Sequence, residues 1–266
     1  MRGAWARPVL DKLFPPVCPV TGDEVSSVGA LSPEAWDGLA FFSGALCEVC
    51  GREVPGGAEM RGDPDLRCDA CLQRGHLWDR GRAAFRYEGT GRHLVLALKH
   101  GDRLDLAVIM AAWMRNAAGP LVKDADLIVP VPLHWTRMLK RRYNQSAELA
   151  RAICRQAGRR DAYAPGLIRR ARRTPVQDGR DRAGRTENVS GAFSLTPGSL
   201  QRIKGRRVLL IDDVMTTGAT LDALATLLRE AGAGGIDVLV SALVNYQPAF
   251  YMRDDVVIEE LEDETD

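Results

Sequence analysis

Two adjacent carboxylates, Asp212 and Asp213, stand just ahead of a turn built from Met215, Thr216, Thr217, Gly218, Ala219 and Thr220. Before them, Val208 to Ile211 form an uninterrupted apolar run, the pattern of a parallel strand covered on both faces. After them, Leu221, Leu224, Ala225, Leu227 and Leu228 repeat with helical period up to Ala231. The run predicts a strand ending at Ile211, with the two acids at its carboxyl end, where open α/β sheets bind ligands. A polar, glycine-containing turn that opens a helix aims unpaired backbone N–H groups and the positive end of the helix dipole at one point. A phosphate fits that point, and an ordinary capped helix needs only one threonine there.

Bare carboxylates repel phosphate, so the acid pair must face hydroxyl groups or a divalent cation that itself bridges to phosphate. Ribose offers the hydroxyls. In these residues the segment resembles the phosphoribosyl pyrophosphate (PRPP) motif of type I phosphoribosyltransferases. The resemblance implies that Asp212 and Asp213 hold the ribose 2- and 3-hydroxyls and act with Mg²⁺ at the reacting sugar. It also implies that Met215 to Thr220 wrap the 5-phosphate.

A second passage, Asp126 to His134, reads as a strand ended by Pro130 and Pro132, which cannot continue a ladder. Arg137, Lys140, Arg141 and Arg142 follow, then Tyr143, Asn144 and Gln145. Clustered Arg and Lys suit a pyrophosphate through charge-assisted hydrogen bonds, although such a run also serves as a solvated helix start. Lys99 and His100 close a helix. The lysine is a further candidate for pyrophosphate, against the alternative of a cation at a helix C-terminus. His134 carries no assigned role.

A third segment runs from Ile168 through Gln177 to Phe193. Nine arginines between Arg159 and Arg185 face only Asp161, Asp178 and Asp181. A polar, Arg-rich stretch between two strands reads as a lid over a charged ligand, as a nucleic-acid contact, or as plain surface. The wording of these passages is similar to the ComF family, named for competence proteins that act in DNA uptake. In that family the Thr-x-x-Gln, Arg-x-x-Asn and Gly-Ala-Phe pieces recur. Here they fall on Thr174, Gln177, Arg185, Asn188 and Gly191 to Phe193.

The amino-terminal part differs in character. Cys47 and Cys50, then Cys68 and Cys71, form two Cys-x-x-Cys knuckles with seventeen residues between them. That spacing predicts a four-thiolate zinc ribbon. Two disulfides compete with this reading, but the start, Met1 to Pro8, lacks the continuous apolar core of a signal peptide. A cytoplasmic protein without membrane insertion is therefore expected. Cys18 opens a passage shaped like another knuckle, with Thr21 where a second cysteine belongs. ComF-like proteins often begin with an intact knuckle there, so a lone Cys18 is expected to be a packed thiol rather than a ligand. Cys154 lies among Ala147, Ala150 and Ile153 and reads as a small core residue.

The chain has 266 residues, 45% of them hydrophobic, and a net charge of +1. This is enough for more than one domain with a sizeable core. Residues 1–80 are expected to hold the ribbon, at about 45–75. Residues 84–247 alternate strand and helix patterns as a parallel sheet flanked by helices does: a strand at Ala84 to Tyr87, helices at Gly91 to His100 and Leu106 to Ala117, and a last strand at Gly235 to Val244. The resemblance implies the type I phosphoribosyltransferase fold for this part. Residues 248–266 form an acidic tail expected to stay solvated.

Function stays open among three classes. The first is a transferase that moves ribose 5-phosphate from PRPP to a nucleobase or amine and releases pyrophosphate. The second is a PRPP-binding protein without turnover. The third is a DNA-uptake factor that contacts single-stranded DNA or a partner helicase. A homodimer is compatible with each, and no base-reading pattern names an acceptor.

Overall fold

The computed structural model describes residues 15–100, 103–133, 143–170 and 191–244. Its centre is a four-stranded sheet of β1 (Arg80–Arg86), β2 (Leu127–Pro130), β5 (Arg207–Met215) and β6 (Gly235–Leu243), in the order β1-β6-β5-β2. Every pairing in it is parallel. A smaller antiparallel pair, β3 (Ile168–Arg170) with β4 (Phe193–Leu195), forms a second sheet that packs into the same core. The segment read as a lid joins these two strands, and its residues 171–190 lie outside the described ones.

Helices cover both faces. Alternation along β5 sends Leu209 and Ile211 to one side, where they pack with α3 (Gly89–His100), α4 (Asp105–Ala118) and α6 (Gln145–Gln156). Val208 and Leu210 face the other side and meet Leu221, Leu224 and Leu228 of α8 (Ala219–Glu230). The same second cluster contains Cys47, Val49, Cys50, Cys71 and Trp78, so the cysteine-bearing part shares a core with the sheet. Short helices α1 (Pro33–Asp37) and α2 (Asp69–Arg74) belong to that part, and α5 (Pro120–Asp124) and α7 (Ser199–Ile203) precede β2 and β5.

Two expected boundaries move. The β5 strand runs four residues past Ile211, because β6 continues alongside it and pairs Asp212 with Val240 and Met215 with Leu243. Cross-strand pairing thus overrides the poor strand propensity of aspartate, and the acids sit within the strand's last turns of pleat. β1 begins at Arg80 rather than Ala84, since Arg80 to Ala83 already pair with Asp237 to Val240. No helix among the described residues is long and apolar enough to cross a membrane.

The end of the sheet away from the acid pair is held by a buried carboxylate. Asp237 is fully buried and accepts from Arg80 Nε at 3.0 Å and Nη2 at 2.8 Å, and from Arg207 Nη1 at 3.2 Å. It therefore ties β1, β5 and β6 together from the middle of the three. Asp237→Ala removes the buried acceptor of both arginines but leaves Arg80 on Asp124 and Arg207 on Asp79, so it is expected to lower the unfolding free energy by roughly 2 kcal/mol in urea titration, whereas truncating exposed Glu34 leaves it unchanged.

Candidate functional site

The carboxyl ends of β2 and β5 lie side by side at one edge of the sheet. Asn144, the N-cap of α6, accepts from Ser146 N–H and donates from Nδ2 to the Val131 carbonyl at 2.9 Å, fixing that helix to the exit of β2. One residue on, Gln145 reaches the Lys99 carbonyl at 3.4 Å, and the Tyr143 hydroxyl donates to the Leu98 carbonyl. The end of α3 and the start of α6 are thereby brought beside the acid pair.

Asp212 accepts from the Ser146 hydroxyl at 2.9 Å and from the Asp213 N–H at 3.0 Å. Burial, and then the neighbouring Asp213 charge, push its carboxyl up to about 7. Asp213 lies 3.4 Å from the Lys99 ammonium, and both side chains are mostly covered. Lys99 thus stands on the acid pair. Ser146 was not singled out by sequence reasoning; a serine in a first helical turn carries no signal beyond capping, and only the fold brings it to Asp212.

The turn after β5 forms a cradle. Gly218 has φ of +84°, the left-handed conformation that lets the chain swing from strand into α8. Ala219 N–H reaches the Thr217 hydroxyl at 3.4 Å and Asp222 N–H the Gly218 carbonyl at 2.8 Å. The N–H groups of Thr216, Thr217 and Gly218 have no acceptor among the described residues. Unpaired N–H groups at a helix start can donate to an anion. Thr220 lies in the first turn of α8.

Several expected site residues, Arg137, Lys140, Arg141, Arg142, Thr174, Gln177, Arg185 and Asn188, lie outside the described residues, as does His134.

Cys47, Cys50, Cys68 and Cys71 bring their sulfurs within 4.8 Å of one another, and none is in a disulfide. Four negative sulfurs this close repel one another, and a cation held between them relieves that repulsion. A buried S₄ set of this size fits structural Zn²⁺.

A second, incomplete ribbon sits ahead of it. Cys18 N–H bonds the Asp23 carbonyl, Gly22 N–H bonds the Cys18 carbonyl, and Val17 bridges Glu24. These are the bonds that Cys47, Arg52, Gly51, Leu46 and Glu53 make in the zinc knuckle. Ser32 stands at the N-cap of α1 as Cys68 does at that of α2, with matching bonds from Trp36 and Leu72 N–H to the Ser32 and Cys68 carbonyls. The four ligand positions are thus Cys18, Thr21, Ser32 and Ala35. A hydroxyl–hydroxyl contact of 3.0 Å between Thr21 and Ser32 stands where metal would be, and Cys18 is buried as expected of a packed thiol. Cys154 is likewise buried in the core.

Comparison with known proteins agrees with these features. Residues 144–264 match a phosphoribosyl transferase domain and residues 9–72 a double zinc ribbon domain. The DNA utilization protein YhgH of Salmonella typhi is 31% identical over 215 residues, spanning 75% of this chain and 91% of that protein. Competence protein F of Haemophilus influenzae is 30% identical over 197 residues, spanning 72% and 82%. Among solved structures, an allosteric regulatory enzyme of purine biosynthesis is 23% identical over 62% of this chain and 34% of its own, with a TM-score of 0.35. The sheet of parallel strands between helices, with the matched domain, is the type I phosphoribosyltransferase fold, joined to an N-terminal zinc ribbon.

Two outcomes follow from this geometry. Metal analysis is expected to find one zinc per chain despite the double-ribbon match, and Thr21→Cys/Ser32→Cys/Ala35→Cys is expected to raise it to two. For Asp212, a carboxyl that binds its proton more tightly when folded makes folding less favourable as pH rises from the ordinary carboxylate range to about 7. Asp212→Asn should therefore stabilise the protein by on the order of 1 kcal/mol at pH 8, after allowance for solvent screening, and by little near pH 4; chemical unfolding at both pH values checks this.

Proposed function

Because the chain belongs to the ComF family, together with DNA utilization protein YhgH and competence protein F, we propose that it binds PRPP at the end of β5 and transfers ribose 5-phosphate to a nucleobase or amine, releasing pyrophosphate. The observation that carries this reading is the direct succession of the acid pair and the turn of unpaired N–H groups at the start of α8.

The 5-phosphate would lie against the N–H groups of Thr216 to Gly218, with the hydroxyls of Thr216, Thr217 and Thr220 as further donors. Anchored there, the sugar presents its hydroxyls to Asp212 and Asp213, about one strand-turn away. Ser146 and the Asp213 N–H hold the Asp212 carboxylate in one orientation. Asp212 and Asp213 also offer the oxygen donors that Mg²⁺ requires, and the ion, bound with the substrate, would supply neutralisation of the departing pyrophosphate. Bond breaking at the anomeric carbon passes through an oxocarbenium-like state, which the acid pair stabilises on the sugar side. Lys99 faces the same acids, and Arg137, Lys140, Arg141 and Arg142 are assigned to the pyrophosphate by resemblance. Thr174, Gln177, Arg185 and Asn188 belong to the segment that would close over the bound ligand. No protein nucleophile is needed.

A second reading is supported by the names of the relatives, which speak of DNA utilization and competence. In it the same fold binds PRPP without turnover, or the Arg-rich segment holds single-stranded DNA or a helicase partner.

Calorimetric titration of PRPP with Mg²⁺ into zinc-loaded protein is expected to show binding that Asp212→Asn/Asp213→Asn abolishes, with pyrophosphate released in the presence of one base of a nucleobase panel. Binding without release with any base favours the non-catalytic reading. Absence of PRPP binding, with single-strand binding that weakens steeply with salt, favours the DNA factor.

A further inference from the structure

The zinc knuckle and the phosphate turn touch. Arg52, next after the knuckle's Gly51, closes the knuckle with its own carbonyl, which accepts from Cys47 N–H at 2.7 Å. Its side chain leaves the ribbon and donates from Nη2 to the Thr216 carbonyl at 2.9 Å. Its Nε is buried without a partner among the described residues. Between Gly218 and the knuckle, His76 and Trp78 stack with ring centres 3.9 Å apart. A side chain at Gly218 would come within 2.8 Å of Trp78 Cη2 and 3.0 Å of His76 Cε1. Those rings are fixed in turn, Trp78 by its indole N–H on the Val49 carbonyl at 2.6 Å and His76 by Asp222 of α8 at 3.0 Å.

We infer that the zinc ribbon presets the phosphate turn, with Arg52 as its positioning residue. The inference rests on the reading that this turn takes the 5-phosphate of PRPP. A trans peptide is planar, so its C=O and the following N–H point in opposite directions. Holding the Thr216 carbonyl on Arg52 therefore turns the Thr217 N–H away from the ribbon and fixes the direction in which it can donate. Without that anchor the peptide can flip, since among the described residues neither Thr216 nor Thr217 N–H has an acceptor to hold it. The His76–Trp78 stack blocks the turn from shifting toward the ribbon. A donor set fixed before binding loses less conformational freedom when the phosphate arrives. The guanidinium adds a positive charge behind the cradle, and its position depends on the knuckle and so on the metal.

The test uses full-length, zinc-loaded wild type, Arg52→Met and Arg52→Lys, titrated separately with ribose 5-phosphate and with pyrophosphate, Mg²⁺ present in both. The expected result is a loss on the order of tenfold in ribose 5-phosphate affinity for Arg52→Met, with pyrophosphate affinity, zinc content and melting temperature kept. Arg52→Lys, which retains one donor, is expected to recover part of the loss. Unchanged ribose 5-phosphate affinity in Arg52→Met overturns the inference, and so does an equal fall for both ligands with loss of zinc, which marks a general structural role. If Arg52→Met does not fold, the amide shifts of Thr217 and Gly218 in Arg52→Lys decide: displaced signals support the anchor and unmoved ones overturn it. Wild type that binds neither ligand overturns the PRPP reading and this inference together, whereas wild-type binding that Arg52→Met leaves intact overturns only the inference.

Discussion

A parallel strand buried on both faces has its backbone paired along its length and loses those partners abruptly where the sheet ends. In this protein β5 is that strand, paired with β2 on one side and β6 on the other. Its last pairs place Asp212 and Asp213 at the rim, and the turn beyond them emerges with N–H groups that nothing in the described chain accepts. The rest of the molecule depends on this termination. The helices bury the faces of β5, so that its rigidity is transmitted to the rim, and α8 starts where the turn ends, adding its dipole to the same point.

Such a site is costly to maintain. Two adjacent acids are held in a partly enclosed position where burial and mutual repulsion push one of them toward neutrality. The cost is offset locally, by the Ser146 hydroxyl and the Asp213 N–H on one carboxylate and by Lys99 on the other. It is also offset at a distance by the apolar core and by the Arg80–Asp237–Arg207 cluster at the opposite end of the sheet. Placing a fully paired buried charge at one end and an incompletely paired acid pair at the other separates the part that stabilises from the part that can respond to a ligand.

The zinc-binding part does not stand off as an appendage. Cys47, Cys50 and Cys71 share a core with β5 and α8, and Gly51 and Gly81 allow the knuckle and β1 to approach so closely that a side chain at Gly81 would meet the Val49 carbonyl at 2.4 Å. The first ribbon has the knuckle's backbone bonds with a cysteine at only one of the four matching positions. Hydrogen bonds among Thr21, Ser32 and their neighbours, together with a capped helix, suffice where packing against the rest of the chain supplies what metal supplies elsewhere.

The amino-acid sequence by itself determined the features that depend on neighbours in the chain. The apolar run of β5, the acids and turn that follow it, the helical period of α8 and the thiol spacing of the ribbon are all local patterns, and each was legible because periodicity and metal geometry act over a few residues. The end of β5 was misplaced because it is decided by β6, whose pairing outweighs what aspartate prefers alone. The contacts that complete the candidate site join residues far apart in sequence: Ser146 to Asp212 across 66 positions, His76 to Asp222 across 146 and Arg52 to Thr216 across 164. None of those side chains differs in type or spacing from an ordinary surface or capping residue. Only the tertiary structure decided their roles, because a hydrogen bond between distant segments is specified by the packing of everything that holds both partners in place.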